Sequence, residues 1–168
     1  MTAPRPLASI LPAELLTLVG KIAVQAVYVD FLLGEVYAGL KGVGADERAK
    51  TIHPLDSRFK SREAAKLAET VLQVPDRPAV IDAVNRAGEL LADRNFVLHG
   101  VVVHRDPIAN NPPEIVIFRG KYAGQPKLFS RETLEPIFTD LDQVSQELVA
   151  VCLKHGFSDI VPLPGKSQ

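Results

Sequence analysis

The chain has 168 residues, with 19 Lys and Arg against 20 Asp and Glu, four His, one Cys and no Trp. A hydrophobic fraction of 46% and a charged fraction of 23% match ordinary globular usage and exclude disordered, collagen-like and supercharged classes. The formal net charge of −1 gives no overall steering toward nucleic acid or an anionic membrane, and a single Cys excludes an internal disulfide or a thiolate-rich metal cluster.

A chain of this length can bury on the order of 70% of its unfolded surface in one core, so a single domain is expected. Residues 1–11 read as a flexible N-terminus, 12–156 as the domain and 157–168 as a tail with Pro162 and Pro164. From Pro12, apolar residues recur at Leu15, Val19, Ile22, Ala26, Val29, Leu33, Val36 and Leu40, a spacing that places them on one face of a helix ending near Leu40. Lys21, Gln25, Asp30 and Glu35 interrupt this stretch, so it reads as a core helix rather than a bilayer-crossing run. Asp30 and Glu35 are expected to be solvated or ion-paired. Pro4, Pro6 and Pro12 stand where a secretory signal would have its apolar middle, and the expectation is a cytoplasmic protein without membrane attachment.

Gly42, Gly44 and Pro54 mark a loop. Ser57 or Ser61 can cap a second helix with the face Ala64, Ala68, Val71 and Leu72, stopped by Pro75. Asp76, Arg77 and Pro78 open a third, which runs to His99 with Gly100 as its stop. Val101–Val103 and Ile115–Phe118, separated by the Pro- and Asn-rich stretch 107–113, read as two short strands. Thr133 can cap the last helix, with Pro136 in its first turn and the stripe Leu134, Ile137, Leu141, Val144, Leu148 and Val151 running to Gly156. The expected fold is all-α: a four-helix bundle with a small β-hairpin between helices three and four.

Several local patterns carry little. Gly165-Lys166-Ser167 lacks the earlier glycine and the preceding strand of a phosphate-binding loop, and Gly42-Val43-Gly44 follows a helix, not a strand. His53, His99, His104 and His155 have no metal-site spacing, so neither a metal nor a cofactor is expected. Cys152, beside the apolar stripe of the last helix, reads as a small buried residue rather than a nucleophile.

The third helix ends in Asp93-Arg94-Asn95-Phe96-Val97-Leu98-His99-Gly100. Its stripe Val80, Val84, Ala87 and Leu91 continues onto Arg94 and Leu98, so a guanidinium stands where an aliphatic side chain belongs. Counting from Ile81 through Gly88 instead places Asn95 on the seam. A polar break in an apolar face is costly unless the group is hydrogen-bonded or serves a site. Arg94-Asn95 followed by His99 resembles the motif of HEPN domains, an arginine, four to six residues, then a histidine. HEPN domains are helical bundles, many of them metal-independent RNases, and the order of elements is similar too. Arg48 and His53 have the same spacing, but they lie in the Gly-rich loop and lack the polar residue after arginine, so context favours Arg94 and His99.

The resemblance implies an endoribonuclease, a toxin or defence component with a neutralising protein partner. In such an enzyme His99 takes the proton of the RNA 2′-hydroxyl, since imidazole titrates near neutrality. Arg94 donates paired hydrogen bonds to the attacked phosphate, and Asn95 orients either group. Five residues on a helix turn through about 140°, so one helix does not aim both groups at one phosphate; the resemblance implies a homodimer whose site is composite. Between Arg94 and Arg131 six cations face two acids, and Arg105, Arg119 and Lys121 are the candidate RNA-binding residues of that segment. Phe118, Tyr122 and Phe129 could stack on bases or be buried. The competing reading is a helical interaction or nucleotide-binding module without chemistry, in which Arg94 pairs with a nearby acid and His99 satisfies a backbone carbonyl.

Overall fold

The computed structural model describes residues 12–99, 101–103, 114–116, 127–128 and 130–158. The described chain is mainly helical. Its helices are α1 (Ala13–Lys41), α2 (Ala45–Thr51), α3 (Ser57–Val71), α4 (Arg77–His99) and α5 (Arg131–His155). Three short strands, β1 (Val101–Val103), β2 (Glu114–Val116) and β3 (Lys127–Leu128), lie between α4 and α5. They form an antiparallel ladder in the order β1-β2-β3, with Val101 opposite Val116 and Ile115 opposite Lys127. The expected N-terminal segment 1–11, the Gly100 stop, the turn at 107–113 and the tail from 159 lie outside the described residues.

The hydrophobic pattern of α1 becomes the centre of the core. Ile22, Ala26, Val29, Leu33 and Val36 are fully buried, and the helix packs on α3, α4 and α5. Gly42 adopts a left-handed conformation (φ 74°) that ends α1, and the Val43 N–H donates back to the Ala38 carbonyl. At 29 residues, with a mean hydropathy of 1.6 over its most apolar window, α1 does reach the length and composition of a bilayer-crossing helix, which corrects the expectation from its interrupting charges. The two acids among them are met inside the protein: the Lys60 ammonium, fully buried, lies 2.8 Å from the Asp30 carboxylate, and Glu35 is paired as described below.

Four local readings are corrected. The segment 45–51, expected as loop, is the short helix α2; it buries no side chain, so it carries no apolar stripe, and its support is acids in the first turn and bases in the last. The cap of α3 is Asp56, whose carboxylate accepts from the Arg58 and Phe59 N–H groups, while Ser57 instead donates to Asp30 and Ser61 to the Val84 carbonyl. Val71, expected on the buried face of α3, is 53% exposed. Ser130, not Thr133, precedes α5, so Pro136 falls in the second turn and leaves the Glu132 carbonyl without its helical donor. The end of α5 is as expected, with Gly156 left-handed at φ 63°.

The helix pairs are fixed by contacts of different kinds. Arg86 of α4 reaches Glu147 of α5 at 2.8 Å, and Lys154 near the end of α5 reaches Asp76 at 2.6 Å, so the two helices run antiparallel. Across the α3–α4 crossing the backbones approach so closely that a Cβ on Gly88 would stand 2.5 Å from Ser61 Oγ. Gly88→Val is therefore expected to overpack this crossing and to lower stability by about 1–3 kcal/mol, read as a fall in the thermal unfolding midpoint.

Candidate functional site

The first turns of α4 favour the stripe count that leads to Arg94, since Val80 is buried and Ile81 is half-buried; Val84, Ala87, Gly88 and Leu91 are all buried, as is Val97. The Arg94 side chain is partly exposed, but its Nε is buried and has no hydrogen-bond partner among the described residues. A buried polar nitrogen without an acceptor is unfavourable by about 1–3 kcal/mol, and by more in a charged group such as a guanidinium. Asn95 and His99 lie on the α4 backbone, one residue and five residues beyond Arg94. Their side chains lie outside the described residues, as do Arg105, Arg119 and Lys121 together with Phe118, Tyr122 and Phe129. The structure thus places the motif at the end of a core helix, where the apolar seam gives way to polar groups.

The other arginine–histidine pair has a definite fate. Glu35, in the last third of α1, is 1% exposed. Arg48 of α2 donates from Nη1 to Glu35 Oε2 at 2.6 Å and to the Phe157 carbonyl, and from Nε to the Val43 carbonyl at 3.1 Å. His53 Nε2 lies 3.2 Å from Glu35 Oε1, and its ring stacks on Phe31 with 5.1 Å between centroids and 6° between planes. Gly34 leaves room for this ring, since a Cβ there would stand 2.9 Å from His53 Nδ1. Arg48 and His53 are therefore brought together, but around a buried carboxylate that occupies them both. Asp30 and Glu35 are both ion-paired, and Glu35 is not solvated.

This cluster also docks the end of α5. Phe157 stacks on His155 and packs over Gly39, where a Cβ would come within 2.3 Å of its ring. Residue 157, expected as the start of a tail, is thus held against the core. The signal for the cluster was present in the sequence: Glu35 lies inside Phe31-Leu32-Leu33-Gly34-Glu35-Val36, where a carboxylate is buried with its neighbours and needs a cation. Which cation it meets is not a local property.

Cys152 is fully buried beside this cluster. Burial, reinforced by the Glu35 charge and opposed by Arg48, pushes its thiol up to about 12. It is a packing residue, not a nucleophile. Among the described residues no three His, Cys, Asp or Glu side chains converge to hold a metal ion. No family model, curated protein or solved structure matches this chain.

Two outcomes follow from this geometry. Glu35→Ala leaves Arg48 facing a buried void without its counter-charge and is expected to destabilise the protein by about 3–5 kcal/mol, measured by denaturant unfolding. The Cys152 thiol is expected to resist iodoacetamide at about pH 8 in the folded protein and to react once the chain is unfolded, because only the thiolate attacks.

Proposed function

We propose that this chain is a HEPN-like, metal-independent endoribonuclease that cleaves RNA at a composite site of a homodimer. The observation that carries this reading is Arg94: a guanidinium on the core seam of α4, with a buried Nε that no described residue satisfies. A phosphate oxygen is the acceptor that such a donor suits. The fold behind it reads as a four-helix bundle of α1, α3, α4 and α5, with the strand ladder as the insertion that follows the motif.

In this mechanism His99 accepts the proton of the 2′-hydroxyl, whose oxygen attacks the adjacent phosphorus. Arg94 stabilises the charge gained by the phosphate oxygens, and Asn95 orients the histidine or the phosphate. The bond from phosphorus to the 5′-oxygen breaks, and that oxygen takes a proton from a second imidazole, supplied as imidazolium by the other copy. The products are a 2′,3′-cyclic phosphate and a 5′-hydroxyl. Arg105, Arg119 and Lys121 hold the flanking phosphates of the RNA. Such an enzyme fits a cytoplasmic toxin or defence role held in check by a neutralising protein.

Purified protein is expected to cut RNA in the presence of EDTA and to leave cyclic phosphate ends. His99→Ala is expected to lower the cleavage rate by about 10²–10⁴-fold with an unchanged thermal midpoint. Undiminished cleavage in that variant removes the proposal, and binding of RNA without cleavage by the wild type leaves a non-catalytic module.

A further inference from the structure

A cavity of about 540 Å³ opens between α4 and α5, toward the end of α4 away from Arg94. Val80, Ala83 and Val151 form its buried floor, and the exposed Ala79 and Ala150 form its low walls. An ion pair bridges the two helices at each end: Lys154 to Asp76 at 2.6 Å and Arg86 to Glu147 at 2.8 Å. Asp76 and Arg86 stand ten residues apart, about 15 Å along the helix axis. The apolar floor is therefore a short cup bounded by charge, with small side chains where larger ones would fill it. A bulky apolar anchor set in a small pocket with a polar rim is the arrangement that concentrates binding energy at protein interfaces.

The rim is acidic once its pairs are counted. Lys154 is held by Asp76, whose carboxyl its hydrogen bond keeps below the usual range. Arg86 is shared among Glu147, Asp140 at 3.4 Å and the Gln143 side-chain oxygen at 3.2 Å. Arg77 is directed toward α3, where it donates to the Leu72 carbonyl. Asp82, exposed on the rim, has no ion pair or hydrogen bond among the described residues. Leaving His155 aside, three acids and two cations line the cavity, and Asp140 adds a further acid beside Arg86. A phosphate chain or an anionic lipid gains no attraction from this balance, and a second copy docked face to face would set acid against acid.

We propose that this cup is the docking point for a protein partner that inserts one aromatic side chain between the two ion pairs and sets a Lys or Arg beside it against Asp82. The ring replaces water over Val80, Ala83 and Val151, and the cation meets a rim acid that no described residue pairs. The two existing ion pairs stay in place, since the ring enters between them. Asp82 lies twelve residues before Arg94 on α4, about 18 Å along its axis, so the partner and a ligand at Arg94 can be held at the same time. The inference goes beyond the nuclease reading and does not rest on it.

Because the chain has no Trp, an indole brought by a peptide is a clean probe of the cup. Titrated with the whole chain, the acetylated and amidated peptide Lys-Trp-Lys is expected to show a saturable blue shift of its fluorescence, and its twin Glu-Trp-Glu none. Ala150→Leu places a good helix former at an exposed position and fills the cup; it is expected to abolish the shift with unchanged circular dichroism. Asp82→Asn is expected to weaken Lys-Trp-Lys binding by about fivefold, as loss of one exposed charge contact does. The proposal is overturned by the absence of a saturable shift, by equal binding of the two peptides, or by binding that survives Ala150→Leu or is undiminished in Asp82→Asn. All of these are read without RNA, so the result stands whether or not the chain cleaves it.

Discussion

The structure depends on the burial of one carboxylate. Glu35 sits in the last third of a 29-residue helix whose residues Leu32, Leu33 and Val36 are fully buried, so water does not stabilise its charge. Protein groups must do so, and they come from outside α1: the Arg48 guanidinium on one oxygen and the His53 ring on the other. The same guanidinium holds the Val43 and Phe157 carbonyls, so one buried charge ties together α1, α2 and the chain after α5. Replacing one partner alone strands the other, which is why a cluster of this kind selects a single arrangement more than it adds net stability. Asp30 with the buried Lys60 repeats the logic one turn away and locks α3 to the same helix. Together the two pairs set the rotation of α1 about its axis, since only one orientation lets both carboxylates reach their cations.

The rest of the fold follows from that anchored helix. With α1 in place, α3, α4 and α5 cover its buried face, while Val24 and Val27 stay exposed on the other, and the contacts among those three helices are short-range: small residues at the α3–α4 crossing and ion pairs bridging α4 to α5. Along α4 the pattern changes. Its buried positions run as far as Leu91, then Arg94 occupies the seam with a buried, unsatisfied Nε before Val97 is buried again. Arg77 Nε, at the start of the same helix, is likewise buried without a partner among the described residues, so the conflict between local sequence and packing falls at both ends of α4.

Two arginine–histidine pairs of identical spacing show how far a linear pattern can be read. Arg48 and His53 are consumed by Glu35, whereas Arg94 retains donor capacity at the end of α4. Spacing does not separate them, because the difference lies in a carboxylate 13 residues upstream of Arg48 that only the folding of α2 against α1 brings within reach. The short helix itself left no trace in the hydrophobic pattern, since it buries nothing. The α3 cap moved from serine to Asp56 for a related reason: Ser57 and Ser61 are hydroxyls that tertiary neighbours, Asp30 and the Val84 carbonyl, recruit for themselves.

What the linear order of residues determined is the part governed by local periodicity and by backbone chemistry. The apolar stripes of α1, α4 and α5 specify long helices whichever way they pack, and Gly42 and Gly156 end two of them because a left-handed residue is cheapest without a Cβ. Among the described residues, tertiary structure alone decided the partners of the buried charges Glu35 and Lys60 and set Arg48 on a buried carboxylate. Electrostatic pairing in a low-dielectric interior depends on distance in space between residues far apart in the chain, and no window of sequence contains that distance.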